Sequence, residues 1–207
     1  IVEINGFFGV IDPTGNYILN PEFDDIGVIN EGLFYAEKNG FFQYFSVDGQ
    51  LVFNRKFSEA FSFENGKAKV VEDGVSGYIR PDGTFIVSSE KGDVRHFYDT
   101  MYVLQLRDSA TFITPSGRLQ FEYYDRIGTL KENRAIVAKK DKYGYVDARA
   151  TVVIPLKYNT FPNYFQFAQF ENGHALAYRQ MRYALIDSTG KNILPAIFTG
   201  IGAYGEL

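Results

Sequence analysis

Ala68-Lys69-Val70-Val71-Glu72-Asp73-Gly74-Val75-Ser76-Gly77-Tyr78-Ile79-Arg80-Pro81-Asp82-Gly83-Thr84-Phe85-Ile86-Val87 holds one whole structural unit. Ala68-Lys69-Val70-Val71 alternates small or apolar residues with a polar one, as a strand with one buried face does. Glu72-Asp73-Gly74 turns the chain, and Gly77-Tyr78-Ile79-Arg80 is a second strand. Pro81-Asp82-Gly83 is a second turn, and Thr84-Phe85-Ile86-Val87 a third strand. Asp-Gly between β-prone runs marks a hairpin, because glycine takes positive φ without a Cβ clash. The proline fixes φ at the turn entry and has no N–H to give a central ladder. The unit is a three-stranded β-meander.

Outward from this unit the same turn recurs. Val10-Ile11-Asp12-Pro13-Thr14-Gly15 and Tyr44-Phe45-Ser46-Val47-Asp48-Gly49 precede it; Phe112-Ile113-Thr114-Pro115-Ser116-Gly117 and Leu185-Ile186-Asp187-Ser188-Thr189-Gly190 follow. Tyr145-Val146-Asp147-Ala148-Arg149-Ala150 keeps the strand but carries alanine in the glycine column. The steps along that column are 34, 34, 34, 33 and 40 residues. A fixed period in this range denotes tandem units that bury a core only by stacking on their neighbours. The connections repeat as well. Pro21, Pro155 and Pro195 each precede an aromatic residue (Phe23, Tyr158, Phe198), with Phe57 and Tyr124 in the same column. Glu31-Gly32, Glu64-Asn65-Gly66, Glu132-Asn133 and Glu171-Asn172-Gly173 then lead into strands with a small residue: Ala68, Ala135, Ala175 and, further along its unit, Ala36. Recurring alanine beside recurring rings predicts that a ring of one unit packs over the small residue of another.

No segment carries a helical apolar period, so the chain reads as all-β. The expected architecture is a single tandem array over 1–207 of about six three-stranded β-meander repeats of ~34 residues, with a half-repeat at each end. Either a propeller-like ring or an open β-superhelix accommodates two half-repeats, and so does a piece of a longer array.

Composition bounds the function. Apolar residues make up 45% of 207, enough for a continuous core, and aromatic residues 17%, all Phe and Tyr. A net charge of −4 without a long run of one sign argues against electrostatic attraction to nucleic acid or anionic membrane. The densest basic patch, Lys139-Lys140-Asp141-Lys142, sits at a turn. Without cysteine there is neither a disulfide framework nor a thiolate metal site. No apolar run reaches the roughly 18–20 residues that span a bilayer.

The unit resembles the WG-containing (KWG) repeat of bacterial proteins: an aromatic-Gly pair, a strand, Asp-x-x-Gly, Val/Ile, Pro, Phe/Tyr-Asp, then Phe-x-Glu-Gly and a small-residue strand. Phe8-Gly9-Val10-Ile11-Asp12-Pro13-Thr14-Gly15 follows it, and so does Tyr143-Gly144-Tyr145-Val146-Asp147 with Val153-Ile154-Pro155-Leu156-Lys157-Tyr158. The tryptophan is replaced throughout, by Phe8, Phe42, Ser76, Ala110, Tyr143 and Tyr183, and its glycine survives at Gly9, Gly77 and Gly144. The resemblance implies a β-repeat scaffold in a periplasmic, cell-surface or secreted bacterial protein. It supplies no catalytic residues and no cofactor.

The candidate chemistry is sparse. His96 and His174 are far apart, with no flanking ligand types to make a metal site. The Asp-Pro-Thr-Gly and Asp-Ser-Thr-Gly runs recur at the repeat period, as turn-closing side chains do and a catalytic pair does not. Asp24-Asp25 and Asp93 recur likewise, and no turn collects the oxygens calcium requires. Gly200-Ile201-Gly202-Ala203-Tyr204-Gly205 has dinucleotide-loop spacing but no helix after it.

The 40-residue step is different. About six extra residues give Phe161-Pro162-Asn163-Tyr164-Phe165-Gln166-Phe167, and insertions in repeat arrays form loops on one face. Phe161, Asn163, Tyr164 and Phe165 are therefore the expected binding residues; the alternative is that their rings cover the array as a satellite cluster. The leading expectation is a non-catalytic scaffold for a protein partner. A carbohydrate-binding module using exposed Tyr and Phe is the alternative, and an enzyme the third.

Overall fold

The computed structural model describes residues 1–120 and 122–200. Its strands form six antiparallel sheets in chain order. The first holds β1 (Val2–Ile4), β2 (Phe7–Ile11) and β3 (Tyr17–Phe23); the second β4 (Asp25–Ile26), β5 (Leu33–Lys38) and β6 (Phe41–Ser46). The third holds β7 (Glu59–Ala60), β8 (Ala68–Glu72), β9 (Val75–Ile79) and β10 (Phe85–Ser89). β11 (Asp93–Tyr98), β12 (Met101–Gln105) and β13 (Ala110–Ile113) form the fourth. The fifth holds β14 (Arg126–Ile127), β15 (Ala135–Lys139), β16 (Lys142–Val146) and β17 (Val152–Asn159). After α1 (Tyr164–Phe167), β18 (His174–Arg179), β19 (Arg182–Asp187) and β20 (Asn192–Phe198) form the sixth.

This is the all-β tandem array of six meanders, with one column the sequence did not reveal. A short outer strand precedes the small-residue strand in β4, β7 and β14, and β11 is its lengthened form in the fourth sheet. Asp99, at φ 46°, occupies there the column of Asn65. Hairpins between the small-residue and aromatic-Gly strands close through Asn5-Gly6, Asn39-Gly40 and Asp73-Gly74, with positive φ at both residues, the twist that matches antiparallel strands.

In the first, third and fifth sheets the glycine of the aromatic-Gly pair gives the third strand room to approach, whereas in the sixth Ala184 holds that column and β20 pairs all the same. A Cβ on Gly9 would lie 2.7 Å from the Leu19 carbonyl oxygen, and one on Gly77 or Gly144 would strike the Val87 or Ile154 carbonyl. Gln43 and Thr111 occupy this column in the second and fourth sheets. There the third segment leaves the sheet and returns only at bridges, Phe45–Leu51 with Phe42–Phe57, and Ile113–Leu119 with Ala110–Tyr124. The Thr111 hydroxyl fills the gap, 2.9 Å from the carbonyl oxygens of both Gln120 and Glu122.

Contacts divide the chain into two compact units, Ile1–Arg95 with Pro115–Gly117 and His96–Thr114 with Arg118–Leu207. Within each, the core lies between consecutive sheets. In the first unit Tyr44 and Phe57 pack with Phe63, Ala68 and Val70; in the second Tyr143, Tyr145 and Tyr158 pack with Phe170, Ala175 and Ala177. Rings of one repeat do sit over small residues of the next. Tyr44 also donates its hydroxyl hydrogen to the Phe61 carbonyl, and Tyr145 to the Ala168 carbonyl, each at 2.6 Å. Burial pushes both hydroxyls far above the usual tyrosine range.

Candidate binding groove on the sixth sheet

The extra residues form α1, which takes the place of the short outer strand. Asn163 starts it in a left-handed conformation, φ 60° and ψ 22°, a backbone that asparagine tolerates better than most residues. Its carbonyl accepts the Gln166 and Phe167 N–H groups.

In the fifth sheet Gly128 donates its N–H to the Ile136 carbonyl across the β14–β15 pair, as Gly27 does to Tyr35 and Phe61 to Lys69. The matching carbonyl on β18 belongs to Leu176, and it receives the Tyr143 hydroxyl at 3.2 Å. The Tyr143 hydroxyl oxygen in turn accepts the Tyr178 N–H at 3.3 Å. One tyrosine hydroxyl thus replaces a stretch of strand, which frees the inserted residues from the sheet.

The rings then separate. Tyr164 stacks on Tyr143 with centroids 5.3 Å apart and 29° between planes. Phe165 lies over Gly128 and under the Arg126 guanidinium, 4.1 Å from the ring centroid. Phe161 meets Tyr178 and Tyr183 edge-on, 5.6 Å from each. All three rings are half-buried against the core cluster, so the satellite-cluster alternative describes much of their environment. Asn163 is exposed.

Phe161 nevertheless also lines a groove of about 480 Å³, together with Pro162, Phe167, His174, Leu176, Tyr183 and Leu185. Gln169, Glu171 and Asn172 form a polar border. The Phe167 ring is 51% exposed. The Glu132 carboxylate of the preceding repeat anchors one end by accepting the Asn172 and Gly173 N–H groups at 2.7 and 2.8 Å. Sequence reasoning passed over Phe167, His174 and Tyr183 as site residues. The alternation of His174, Leu176 and Tyr178 was the available signal that they share a strand face.

The carboxylates are engaged in structure. Asp12 Oδ1 accepts the Thr14 and Asn16 N–H groups at 2.8 and 2.9 Å, and Asp187 Oδ1 the Thr189 and Lys191 N–H groups at 2.9 and 3.0 Å. Asp24 accepts the Asn39 N–H, and Asp93 holds Lys69 and Ser76. Among the described residues no three His, Asp or Glu side chains gather as metal ligands. His96 Nε2 lies 3.1 Å from the Asp99 carbonyl oxygen. No helix among them is long and apolar enough to cross a membrane. Residues 201–205 of the glycine-spaced run lie outside the described residues.

The sequence model of the WG-containing repeat matches residues 8–40, 44–75 and 183–206. These three segments are similar to WG-containing repeats. The copy at Tyr143-Gly144 keeps the pattern by inspection but lies outside the matched stretches. No curated protein matches the sequence. Solved structures with a similar course of chain include Kluyveromyces lactis Hsv2, with 6% identity and a TM-score of 0.41 over 82% of this chain and 63% of that one. A Bacteroides caccae protein of unknown function shows 14% identity and a TM-score of 0.37 over 82% and 79%. The AfRom2 CNH domain shows 10% and 0.40 over 88% and 74%. The chain spans 65% and 62% of the length of two further Hsv2 chains that it matches.

Proposed function

We propose that this array of WG-containing repeats is a non-catalytic scaffold whose sixth sheet receives an apolar or aromatic side chain of a protein partner. One observation carries the reading. Ile136, Tyr143 and Tyr145 of the fifth sheet are buried where the sixth sheet packs on them, with Phe170 edge-on to Tyr145 at 5.0 Å. Leu176, Tyr183 and Leu185 hold the same columns one repeat later, and there they line the groove beside Phe161 and Phe167. The groove is lined mainly by apolar and aromatic side chains, and an exposed aromatic at its border is a common anchor of protein interfaces. Placement on a bacterial envelope or secreted protein belongs to the same reading and rests on the family resemblance.

A photo-crosslinking residue at position 167 is expected to capture one stoichiometric protein partner that the same residue at the exposed Met181 does not. Phe167→Ala should then weaken the purified complex at least about tenfold, as loss of an anchor does. Capture that is competed by sugars, with glycan-array binding lost in Phe167→Ala, would support the carbohydrate module instead. Tyr164, the tyrosine of the insertion, is itself stacked on Tyr143.

A further inference from the structure

A charge pattern singles out a second place on the sixth repeat. The last residue of the small-residue strand carries a charge in several repeats, and the segment preceding that strand's repeat neutralises it. Lys38 pairs with Glu22 at 3.0 Å, Glu72 with Arg55, and Lys139 with Glu122 at 2.5 Å. In the sixth repeat this position is Arg179, and the residue in the column of Glu22 is Lys157, another cation. Arg179 also lies directly across the hairpin from Arg182, a like-charge pair that costs stability in an antiparallel ladder. Among the described residues no carboxylate forms an ion pair with any of the three.

These cations are not scattered. Lys157, Arg179 and Arg182 line one pocket of about 400 Å³ with Tyr158, Gln180 and Asn192, over a floor of Ala177 and Ala184. The lining contains no acid. Two guanidinium groups thus belong to one pocket, and their N–H forks match the oxygens of a phosphate or sulfate group; Arg182 Nη1 also lies 3.5 Å from the Ile197 carbonyl oxygen. Gln180 and Asn192 add neutral donors beside them.

We infer that this pocket binds a tetrahedral oxyanion, phosphate or sulfate, free or as a small monoester, in the place where Glu22 and Glu122 stand beside Lys38 and Lys139 in two other repeats. The anion supplies the negative charge that Glu22 gives the first repeat and Lys157 does not give the sixth. The inference is independent of the groove, with which the pocket shares no lining residue: Leu176, Tyr183 and Leu185 line the groove, and Ala177 and Ala184, alternating with them along β18 and β19, line the pocket.

Calorimetric titration of the whole chain at constant ionic strength tests it, with inorganic phosphate, inorganic sulfate and phenyl phosphate as probes and chloride as control. Saturable one-to-one binding is expected for an oxyanion and not for chloride, and tighter binding of phenyl phosphate would identify a monoester as the fitting ligand. Arg179→Gln should weaken binding at least tenfold. Lys157→Glu places a carboxylate where Glu22 stands beside Lys38 in the first repeat, so it should abolish binding while raising the melting temperature, which separates lost binding from lost folding. Binding no stronger than chloride, or equal affinity in Lys157→Glu, overturns the proposal.

Discussion

Ala150 occupies the column that is glycine in the five other turns of the period, and it keeps their left-handed backbone, at φ 60°. Its methyl group is buried in the cluster with Phe112, Tyr124 and Val146, so burial offsets the strain that a Cβ meets at positive φ. Gly15, at φ 90°, has open space around its missing Cβ. Gly15→Ala should therefore cost about 1 kcal/mol, the left-handed penalty with nothing to repay it. Gly144 is different in kind: its φ is ordinary, and an added Cβ would collide with the Ile154 carbonyl and Pro155. Gly144→Ala should cost about 2–3 kcal/mol, as overpacking against backbone does. Urea unfolding of the two variants measures the difference. Equal costs would show that the WG glycine serves the turn conformation of its own residue and not the approach of the third strand.

At the scale of elements, the hydroxyl of Tyr143 substitutes for a missing strand. It bridges the Leu176 carbonyl and the Tyr178 N–H on the edge of β18, and burial raises its pKa far above the usual tyrosine range, so it stays protonated and can donate. Tyr143→Phe keeps the ring packing on Tyr158 and Tyr164 but leaves a half-buried carbonyl and amide without that partner. The expected loss is about 1–3 kcal/mol. Faster hydrogen exchange at Tyr178 with unchanged exchange in β16 would place the loss at the strand edge, and uniform acceleration would refute the bridging role. The hairpins were legible beforehand, because Asn-Gly and Asp-Gly state their turn type locally. The short outer strands were not: two residues such as Asp25-Ile26 or Glu59-Ala60 carry no period, and only pairing with the neighbouring strand defines them.

At the scale of the molecule, the repeated Asp turns sum to a pH response. Asp12 is held at about 2, chiefly by the Thr14 hydroxyl and then by the Asn16 N–H. Asp82 and Asp187 are lowered in the same way, first by the hydroxyls of Thr84 and Thr189. Folding lowers these pKa values, so the unfolded chain takes up protons first on acidification. The stabilisation is present above the ordinary carboxylate value of 3.8 and is lost as pH falls toward about 2. The urea midpoint should drop across that window, and the drop should be shallower in a Thr14→Val/Thr189→Val variant. An unchanged slope would assign the acid response to other groups. The period, the turns, the all-β class and the insertion were set by the chain itself, because each depends on residues a few positions apart. Tertiary structure decided which inserted rings face the core, since Phe161, Tyr164 and Phe165 look alike in sequence and part only against Tyr178, Tyr143 and Gly128. It also decided that Lys157 and Arg179 share a pocket, because a charge finds its neighbour across two repeats and only their stacking brings the columns together.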